Sequence, residues 1–335
     1  MDPLGRVLRH DAALSRDEPE MEGLVDDMAV YLTQCRSDAT VKKYDGYFKR
    51  FASFMERNSR KSLPARSIDV ALYITNLLNC KSSHSVVSSS VYSIKYMHSL
   101  FGYEDPTVGS HVQHLLDTSK RVGYKPVNKK DVVTSDMIKN LFILYKDTSD
   151  LFILRDLAMI IVSYCGFLRY DELSNVRCKD VELVSNSHVE IYIVKSKTDQ
   201  YREGDRVLLS KLDSESCPYN CLSRYISLAN IDSKSSDFLF KALYKTKSGV
   251  GFRKKCQKLS YTRTRELLIT RLREVCGGFN LGLHSLRAGG ATAAANAGVN
   301  DRCWRRHGRW KRDAAHGYVK DKLADRLSVS QNLGL

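Results

Sequence analysis

The chain has 335 residues, carries 53 Lys and Arg against 38 Asp and Glu, and has a formal net charge of +15 at pH 7. A length of this order predicts two domains, and a hydrophobic content of 43% argues against a disordered protein. The sequence has no apolar run of about 18 residues, which argues against a membrane protein, and the excess positive charge favours a polyanionic partner, most simply nucleic acid.

The first part of the chain is expected to hold a flexible acidic N-terminus over 1–22 and then a helical domain over 23–122. Residues 1–27 contain eight acidic side chains against three arginines, so this end is a poor candidate for contacting DNA. The helical spacing of apolar residues is clearest at Val41, Tyr44, Phe48, Phe51 and Met55, and further helices are predicted near 24–35, 68–79, 86–101 and 110–121. The candidate DNA contacts of this domain lie on the other face of the clearest helix, at Lys42 and Lys43.

A linker is predicted over 123–134, because this stretch contains Gly, Pro and a group of lysines. A second domain follows over 135–322. It is expected to contain an apolar core helix at 151–165, two strands at 189–194 and 206–209 joined by a polar loop, and only helices after residue 215. Residues 323–335 form a C-terminal tail whose apolar residues permit contact with another protomer.

Positive charge is concentrated in the second half of the chain. Residues 245–274 contain ten Lys and Arg against two Glu, and residues 302–312 contain six more basic side chains. Such clustering favours nucleic-acid binding, although each cluster alone is equally compatible with a solvated helix face. The candidate DNA contacts in this half are Lys254, Lys255 and Arg263.

The cysteines predict no metal site. All nine lack a repeating spacing, and Cys217 with Cys221 has no second Cys or His pair at a zinc-like distance nearby. No secretory signal opens the chain, so an intracellular protein with reduced thiols is expected.

His284 and Arg287 lie three residues apart at the start of a predicted helix that ends at Gly298. This spacing puts both side chains on one face, near free backbone N–H groups that favour an anion. Gly289 and Gly290 cost the helix about 1 kcal/mol each relative to alanine, which indicates close backbone packing or the approach of a ligand. The alternative is a buried histidine with a surface arginine.

Arg169 and a pair of lysines supply further candidate cations. Arg169 is expected just after the apolar helix, with Glu172 three residues on to hold its guanidinium; the alternative is a helix-terminal ion pair, which is worth little at a surface. Lys195 and Lys197 are expected in the loop after the first strand, where a lysine can reach a substrate and protonate a leaving alkoxide. The alternative for both is a solvated loop charge.

Trp310 and Tyr318 complete the candidate set. Tyr318 is the only tyrosine after His284 and lies 31 residues beyond Arg287, and a tyrosine hydroxyl can serve as a nucleophile. Trp310 can pack beside a phosphate and offer its indole N–H. Each can also be an ordinary core residue, and it is the order Arg, Lys, His-x-x-Arg, Trp, Tyr along the chain that connects them.

Residues 150–320 resemble the catalytic domain of the tyrosine recombinase (phage integrase) family. The run GFLRYDEL resembles its first-arginine motif, HSLR its HxxR box, and GRW followed by seven residues and Tyr its last box. The runs SKTDQYREG and GRW are similar to recombinases of eukaryotic mobile elements, of the DIRS-like and Crypton types. Trp310 is one residue closer to Tyr318 than is common, which leaves Arg309 as a rival for its position. Between Lys195 and Lys197, Lys197 is preferred.

The resemblance implies a mainly α fold with a small β-sheet: a helical N-terminal core-binding (SAM-like) domain and an α+β catalytic domain. It implies that Tyr318 attacks a DNA phosphodiester and forms a 3′-phosphotyrosine with a free 5′-hydroxyl, without cofactor, ATP or metal. Arg169 and Arg287 would bind the non-bridging oxygens, Lys197 would protonate the leaving oxygen, and His284 would accept the tyrosine proton or bind the phosphate.

The expected partner is therefore double-stranded DNA, bound chiefly through its phosphates. The family also implies a homo-oligomer, a tetrameric synapse on two DNA sites, with Trp310 supporting the active site and no membrane contact. The expected function is a site-specific DNA recombinase or integrase, and the nucleus is the expected compartment. Two alternatives stay open, namely a domesticated, catalytically silent DNA-binding protein and a DNA-relaxing activity of the type IB topoisomerase kind.

Overall fold

The computed structural model describes residues 8, 19–122, 128–196, 199, 203–246, 249–253, 256–311 and 313–333. The chain divides into two units, Met1–Val127 and Asn128–Leu335. The described part is mostly helical with two small antiparallel sheets, which confirms the mainly α fold class with a small β-sheet.

The described part of the first unit contains five named helices, and the helices predicted from apolar spacing are all present: α1 (Pro19–Gln34), α2 (Asp38–Arg57), α3 (Ser67–Asn79), α4 (His84–Leu100) and α5 (Ser110–Val122). Helix α1 begins before the predicted domain start at residue 23, and most of the predicted flexible N-terminus lies outside the described residues. Phe51 and Met55 of α2 are fully buried against α3 and α4, so the apolar face of α2 forms the core of this unit. Lys42 and Lys43 lie exposed on the other face.

The second unit holds eight helices and five strands among its described residues: α6 (Ser135–Leu144), α7 (Leu151–Cys165), α8 (Tyr170–Asn175), β1 (Val181–Val184), β2 (His188–Ile193), β3 (Asp205–Ser210), α9 (Pro218–Leu228), β4 (Leu243–Thr246), β5 (Gly249–Phe252), α10 (Tyr261–Arg273), α11 (Leu283–Asn296), α12 (Asp301–His307) and α13 (Leu323–Gln331). Strands β1, β2 and β3 form one antiparallel sheet in that order, and β4 pairs with β5 in another. A short 3-10 helix at Asp313–Tyr318 precedes the C-terminal helix.

Helix α7 is the centre of this unit. Asp150 accepts a hydrogen bond from the N–H of Phe152 at 2.8 Å and caps the helix, and Gly166 follows its last residue. Most residues between these ends are buried, and α9, α10 and α11 pack around them. The predicted core helix is therefore present with the predicted bounds, and its end fixes where the chain turns toward Arg169.

The structure corrects the expectation of only helices after residue 215, because β4 and β5 form a hairpin there. Strand β1 was likewise not predicted. These strands have four residues each, so they are too short to show an apolar alternation, and their stability depends on cross-strand pairs that local sequence does not reveal.

The second half of the predicted linker packs on the second unit. Val133 is fully buried in its core, and its N–H donates to the carbonyl oxygen of Ser285 in α11 at 3.1 Å. A Cβ added at Gly289 would overlap the carbonyl oxygen of Val133, and one added at Gly290 would overlap that of Tyr164. The two glycines therefore allow the backbone of α11 to pack directly on the backbone at Val133 and Tyr164. This is the close packing that the free-energy cost of two glycines in a helix indicated.

Candidate active site

The first turn of α11 carries His284 and Arg287 on one side but at different depths. The side chain of His284 is exposed, whereas Arg287 is fully buried. This is the reverse of the alternative in which the histidine is buried and the arginine lies at the surface. Arg287 donates from Nη2 to the carbonyl oxygen of Gly308 at 2.6 Å and from Nη1 to that of Phe167, which together fix the plane of its guanidinium.

Tyr318 lies at the end of the 3-10 helix with its hydroxyl directed to α11. Its hydroxyl oxygen is 3.1 Å from Nε2 of His284, and the two ring centroids are 5.4 Å apart. The guanidinium carbon of Arg287 lies 5.7 Å from the centroid of the Tyr318 ring. The structure thus brings together a histidine, an arginine and a tyrosine that are separated by up to 34 residues in the chain.

Trp310 forms one wall of this site. Its ring lies 4.1 Å from the guanidinium carbon of Arg287 and 5.3 Å, centroid to centroid, from the ring of Tyr318. The side chain is 9% exposed, and its indole Nε1, like Nε of Arg287, has no hydrogen-bond partner within the described part of the chain. Two buried N–H donors beside the tyrosine are therefore unsatisfied within the described part of the chain.

Arg309, the rival for the position of Trp310, bonds to Glu172. Its Nη2 donates to the carboxylate at 2.8 Å and also to the carbonyl oxygen of Phe167 at 3.2 Å. Both Arg309 and Phe167 have a positive φ, 58° and 48° respectively. Non-glycine residues seldom adopt this conformation, and it is found most often at sites whose surroundings over-determine it.

Glu172 is the common partner of three arginines. It lies 2.7 Å from Arg169, 2.8 Å from Arg309 and 3.7 Å from Arg287, and its side chain is 1% exposed. Burial acts to raise the pKa of the Glu172 carboxyl, but the Arg309 charge, the backbone N–H of Arg169 and the charges of Arg169 and Arg287 outweigh it, so the net pKa is lowered. The carboxylate is therefore ionised and offsets part of the positive charge around it.

Burial also disfavours the charged form of Arg287, and here it prevails, so the pKa of the guanidinium is lowered. Burial is the largest cause, and the nearby charge of Arg169 adds to it, so that the pKa falls to about 9 although Glu172 acts in the opposite direction. The guanidinium is still charged at neutral pH, and an arriving anion would stabilise that charge further.

Arg169 is the residue that precedes the first turn of α8, just beyond the end of α7, and its backbone N–H donates to Glu172 at 2.9 Å. Its Nη1 donates to Glu172, and its side chain is 15% exposed. The expected ion pair between Arg169 and Glu172 is present. Its carboxylate is buried, so it differs from the weak surface ion pair of the alternative interpretation. Arg169 is connected to Arg287 through this shared carboxylate.

The predicted lysine and DNA-contact residues are less fully described. Lys197, Lys254 and Lys255 lie outside the described residues. Lys195 is exposed just after β2, and Arg263 is exposed on α10, where its guanidinium lies 3.5 Å from Glu266. A cavity of about 450 Å³ adjoins Trp310, and its wall includes Ser196 and Gly204 beside β2 and β3 and three arginines of α12, namely Arg302, Arg305 and Arg306.

Sequence reasoning did not identify the role of Arg309 with Glu172, nor two polar residues of α11, Thr292 and Asn296, that contact the chain beyond Tyr318. No spacing signal was available for these two, since they follow His284 by eight and twelve residues, which at about 100° per residue places them away from its side of the helix. Within the described ranges, no group of three or more His, Cys, Asp or Glu side chains is arranged to hold a metal ion, and no helix is long and apolar enough to cross a membrane.

The chain is similar in sequence to a bacterial protein. The "Integrase/recombinase xerD homolog" of Selenomonas ruminantium is 24% identical over 204 residues, which make up 60% of this chain and 59% of that relative. The chain therefore spans less than two thirds of the length of the relative it matches. No family model matches the chain.

Solved recombinase and integrase structures share the fold. XerH site-specific recombinase bound to palindromic difH substrate, in a post-cleavage complex, has a TM-score of 0.58 at 14% identity and covers 98% of this chain and 95% of its own. The lambda integrase(75-356) dimer bound to a COC' core site has a TM-score of 0.52 at 14% identity, over 89% of this chain and 95% of its own. The Tn1549 transposon integrase (aa 82-397) in complex with circular intermediate DNA has a TM-score of 0.50 at 11% identity. The match covers 98% of this chain and 99% of the integrase chain. These likenesses show that the chain has the fold of these recombinases and integrases.

Proposed function

We propose that this protein is a site-specific DNA recombinase or integrase that breaks and rejoins DNA through a covalent 3′-phosphotyrosine at Tyr318. The observation that carries the proposal is the 3.1 Å contact between the Tyr318 hydroxyl and Nε2 of His284, beside the buried N–H donors of Arg287 and Trp310. A nucleophile within hydrogen-bond distance of a base, next to cations, is the arrangement that phosphoryl transfer by a side chain requires.

The proposed chemistry assigns one step to each side chain. His284 accepts the phenolic proton while Tyr318 forms a bond to phosphorus, and the bond from phosphorus to the 5′-oxygen breaks. Arg169 and Arg287 stabilise the charge that grows on the non-bridging oxygens, and Lys197 gives a proton to the departing 5′-oxygen. Trp310 holds the Arg287 guanidinium by cation–π contact and donates its indole N–H.

The free energy of the broken ester is kept in the phosphotyrosine. A 5′-hydroxyl of a second duplex then attacks it and restores the phosphodiester, which completes strand exchange without an energy source. Strand exchange between two DNA sites supports a tetramer of this chain as the working assembly. The likeness of two sequence runs to DIRS-like and Crypton-type elements extends the proposal to a eukaryotic mobile element that acts in the nucleus.

Double-stranded DNA is the proposed substrate and partner. Lys42 and Lys43 are exposed on α2 and Arg263 on α10, where they can neutralise phosphates; Lys254 and Lys255 are proposed for the same role from the sequence. Counterion release then makes the affinity fall steeply as salt rises.

The experiment that tests the proposal is covalent trapping on nicked duplexes built from the DNA that flanks the gene, where paired terminal repeats would identify the target. A nick beside the scissile phosphate lets the short strand with the 5′-hydroxyl diffuse away, so a phosphotyrosine cannot be reversed. We expect wild type to form a complex that survives denaturing electrophoresis, and Tyr318→Phe to bind the DNA without forming it. Covalent trapping by Tyr318→Phe would show that another residue is the nucleophile.

Covalent trapping, together with an assay on supercoiled DNA, separates the two alternatives. A wild-type protein that binds a defined site but never becomes linked to it would be a silent DNA-binding protein. Relaxation of supercoiled DNA without any recombinant product would instead indicate a type IB topoisomerase-like activity.

A further inference from the structure

The backbone that follows Tyr318 is held against α11 by two side chains of that helix. Thr292 Oγ1 donates to the carbonyl oxygen of Tyr318 at 3.3 Å and accepts from the N–H of Lys320 at 3.2 Å. A single hydroxyl thus joins the backbone on both sides of Val319. Thr292 is 8% exposed, so little water competes for these two bonds.

Asn296, one turn further along α11, extends the same attachment. Its Nδ2 donates to the carbonyl oxygen of Lys320 at 3.0 Å, and Nζ of Lys322 donates back to the carbonyl oxygen of Asn296 at 2.8 Å. Together, the side chains of Thr292 and Asn296 bond to three backbone groups, namely the carbonyl of Tyr318 and both the N–H and the carbonyl of Lys320.

The other contacts of the tyrosine segment are apolar or exposed. Ala315, Tyr318 and Val319 belong to an apolar cluster that also contains Ala291 of α11 and the ring of Trp310. Within the 3-10 helix, His316 forms an ion pair with Asp301, and these two side chains are 55% and 52% exposed. An exposed pair of this kind contributes little, so the buried hydroxyl of Thr292 holds the backbone of this segment more strongly than that pair does.

We propose that Thr292 and Asn296 are positioning residues that fix the backbone of Tyr318 on α11, so that its hydroxyl meets His284 of the same helix. Helix α11 then carries both the base and the attachment for the nucleophile, about two to three turns apart. The catalytic part of this inference rests on the proposed function, whereas the attachment itself is a property of the fold.

The test compares isosteric variants of the full chain in single-turnover cleavage of the nicked duplex. Thr292→Val keeps the shape but loses the hydroxyl, and we expect cleavage to slow by about 10- to 100-fold, since small displacements of a nucleophile have effects of this size. DNA affinity is expected to be unchanged. Thr292→Ser retains the hydroxyl and should restore most of the rate, and Asn296→Asp, which loses the donor, should slow cleavage in the same direction.

Thr264→Val is the matched control. Thr264 is fully buried on α10 of the same unit, and its hydroxyl has no hydrogen-bond partner among the residues that the structure describes. The same chemical change there removes no bond to the tyrosine segment, so the cleavage rate should equal that of wild type.

A second measurement separates positioning of Tyr318 from general damage to the site. In a Tyr318→Phe background, hydrogen peroxide is added as the nucleophile: its anion bonds to phosphorus, the bond to the 5′-oxygen breaks, and that oxygen takes up a proton. If Thr292 acts only through the tyrosine, Thr292→Val will not change this peroxide-dependent cleavage. An equal loss of both reactions would overturn the inference.

Amide hydrogen exchange tests the attachment without any DNA. The Lys320 amide, bonded to Thr292, should exchange faster in Thr292→Val than in wild type or Thr264→Val. Unchanged exchange would refute the attachment even if DNA is cleaved. If the Lys320 amide exchanges faster in Thr292→Val but wild type forms no covalent complex with DNA, the attachment is supported and the proposed function is refuted.

Discussion

The buried carboxylate of Glu172 accepts a hydrogen bond at 2.8 Å from Arg309, a residue 137 positions further along the chain. This pair joins α8 to the turn that carries Trp310. Because Arg169 and Arg287 contact the same carboxylate, one negative charge holds together the cations that the proposed reaction needs. Its removal would leave three guanidiniums near each other with no counter-charge from this position.

Glu172→Gln is therefore expected to destabilise the second unit by about 3–5 kcal/mol, the cost of removing one partner from a buried charged cluster. Urea unfolding followed by circular dichroism measures the change. Glu190→Gln is the control, since Glu190 pairs with Arg206 at the surface and its loss should cost less than about 1 kcal/mol. Equal effects of the two substitutions would contradict the importance of the buried cluster.

The same cluster predicts a pH dependence with a definite sign. The pKa of Glu172 is lowered in the folded protein from its ordinary value of 4.5, so the folded state favours the ionised form. The stabilisation is complete above pH 4.5 and is lost as the pH falls through the lower folded pKa. The stability difference between wild type and Glu172→Gln should accordingly shrink when unfolding is measured below that pH, and a constant difference would argue against this account.

The sequence was sufficient for the parts of the site that lie close together along the chain. The three-residue spacing of His284 and Arg287 predicted their common helix face, and Glu172 was correctly expected to hold Arg169. The pairing of Glu172 with Arg309 could not be predicted, because it depends on how α8 and the turn after α12 come together in three dimensions. Burial of Arg287 was also not predictable, since an arginine is seldom fully buried unless surrounding groups satisfy it.

The fold was predictable to a similar extent. Long amphipathic or apolar helices such as α2 and α7 have many residues that report the same period, so their presence followed from the sequence. The hairpin of β4 and β5 has few residues, and its pairing is stabilised by contacts outside any local pattern. The roles assigned to the site residues and to the DNA-contact residues stay predictions that the following experiments address.

Trp310→Phe tests the indole N–H separately from the ring. Phenylalanine keeps an aromatic face for Arg287 but lacks Nε1, so we expect cleavage to slow by about 10²-fold, the usual effect of losing one donor to the transition state. Trp304→Phe is the matched control: Trp304 packs edge-on to Trp310 at 5.7 Å and should show a similar loss of stability without the loss of rate. Single-turnover trapping gives both rates, and a Trp310→Phe rate equal to wild type would exclude a role for the N–H.

Gly290→Ala tests the close approach of α11 to α7. The new Cβ would overlap the backbone carbonyl of Tyr164, which cannot move independently of the core helix. We expect a loss of about 1–3 kcal/mol in the free energy of unfolding, because overpacking outweighs the gain in helix propensity. Gly277→Ala, where a Cβ meets no atom within 4 Å, should change stability by less than about 0.5 kcal/mol.

The choice between Lys195 and Lys197 can be made with a duplex whose scissile 5′-oxygen is replaced by sulfur. A thiol has a pKa of about 8.5 and leaves without receiving a proton. Lys197→Ala should slow cleavage of ordinary DNA by about 10²-fold or more and regain the rate on the sulfur substrate, while Lys195→Ala should behave as wild type on both. The opposite pattern would assign the proton to Lys195.

The contact between His284 and Tyr318 within one chain predicts that each protomer cuts with its own tyrosine. Tyr318→Phe lacks the nucleophile and His284→Ala lacks the base, so a mixture of the two should form no more covalent complex than the separate proteins do. If the tyrosine of one protomer acted in the site of another, the mixture would regain cleavage, because an intact tyrosine would meet an intact histidine. Mixing wild type with Tyr318→Phe is the control for joint assembly: tagged wild type should co-purify with the variant on DNA, and covalent product should scale with the wild-type fraction.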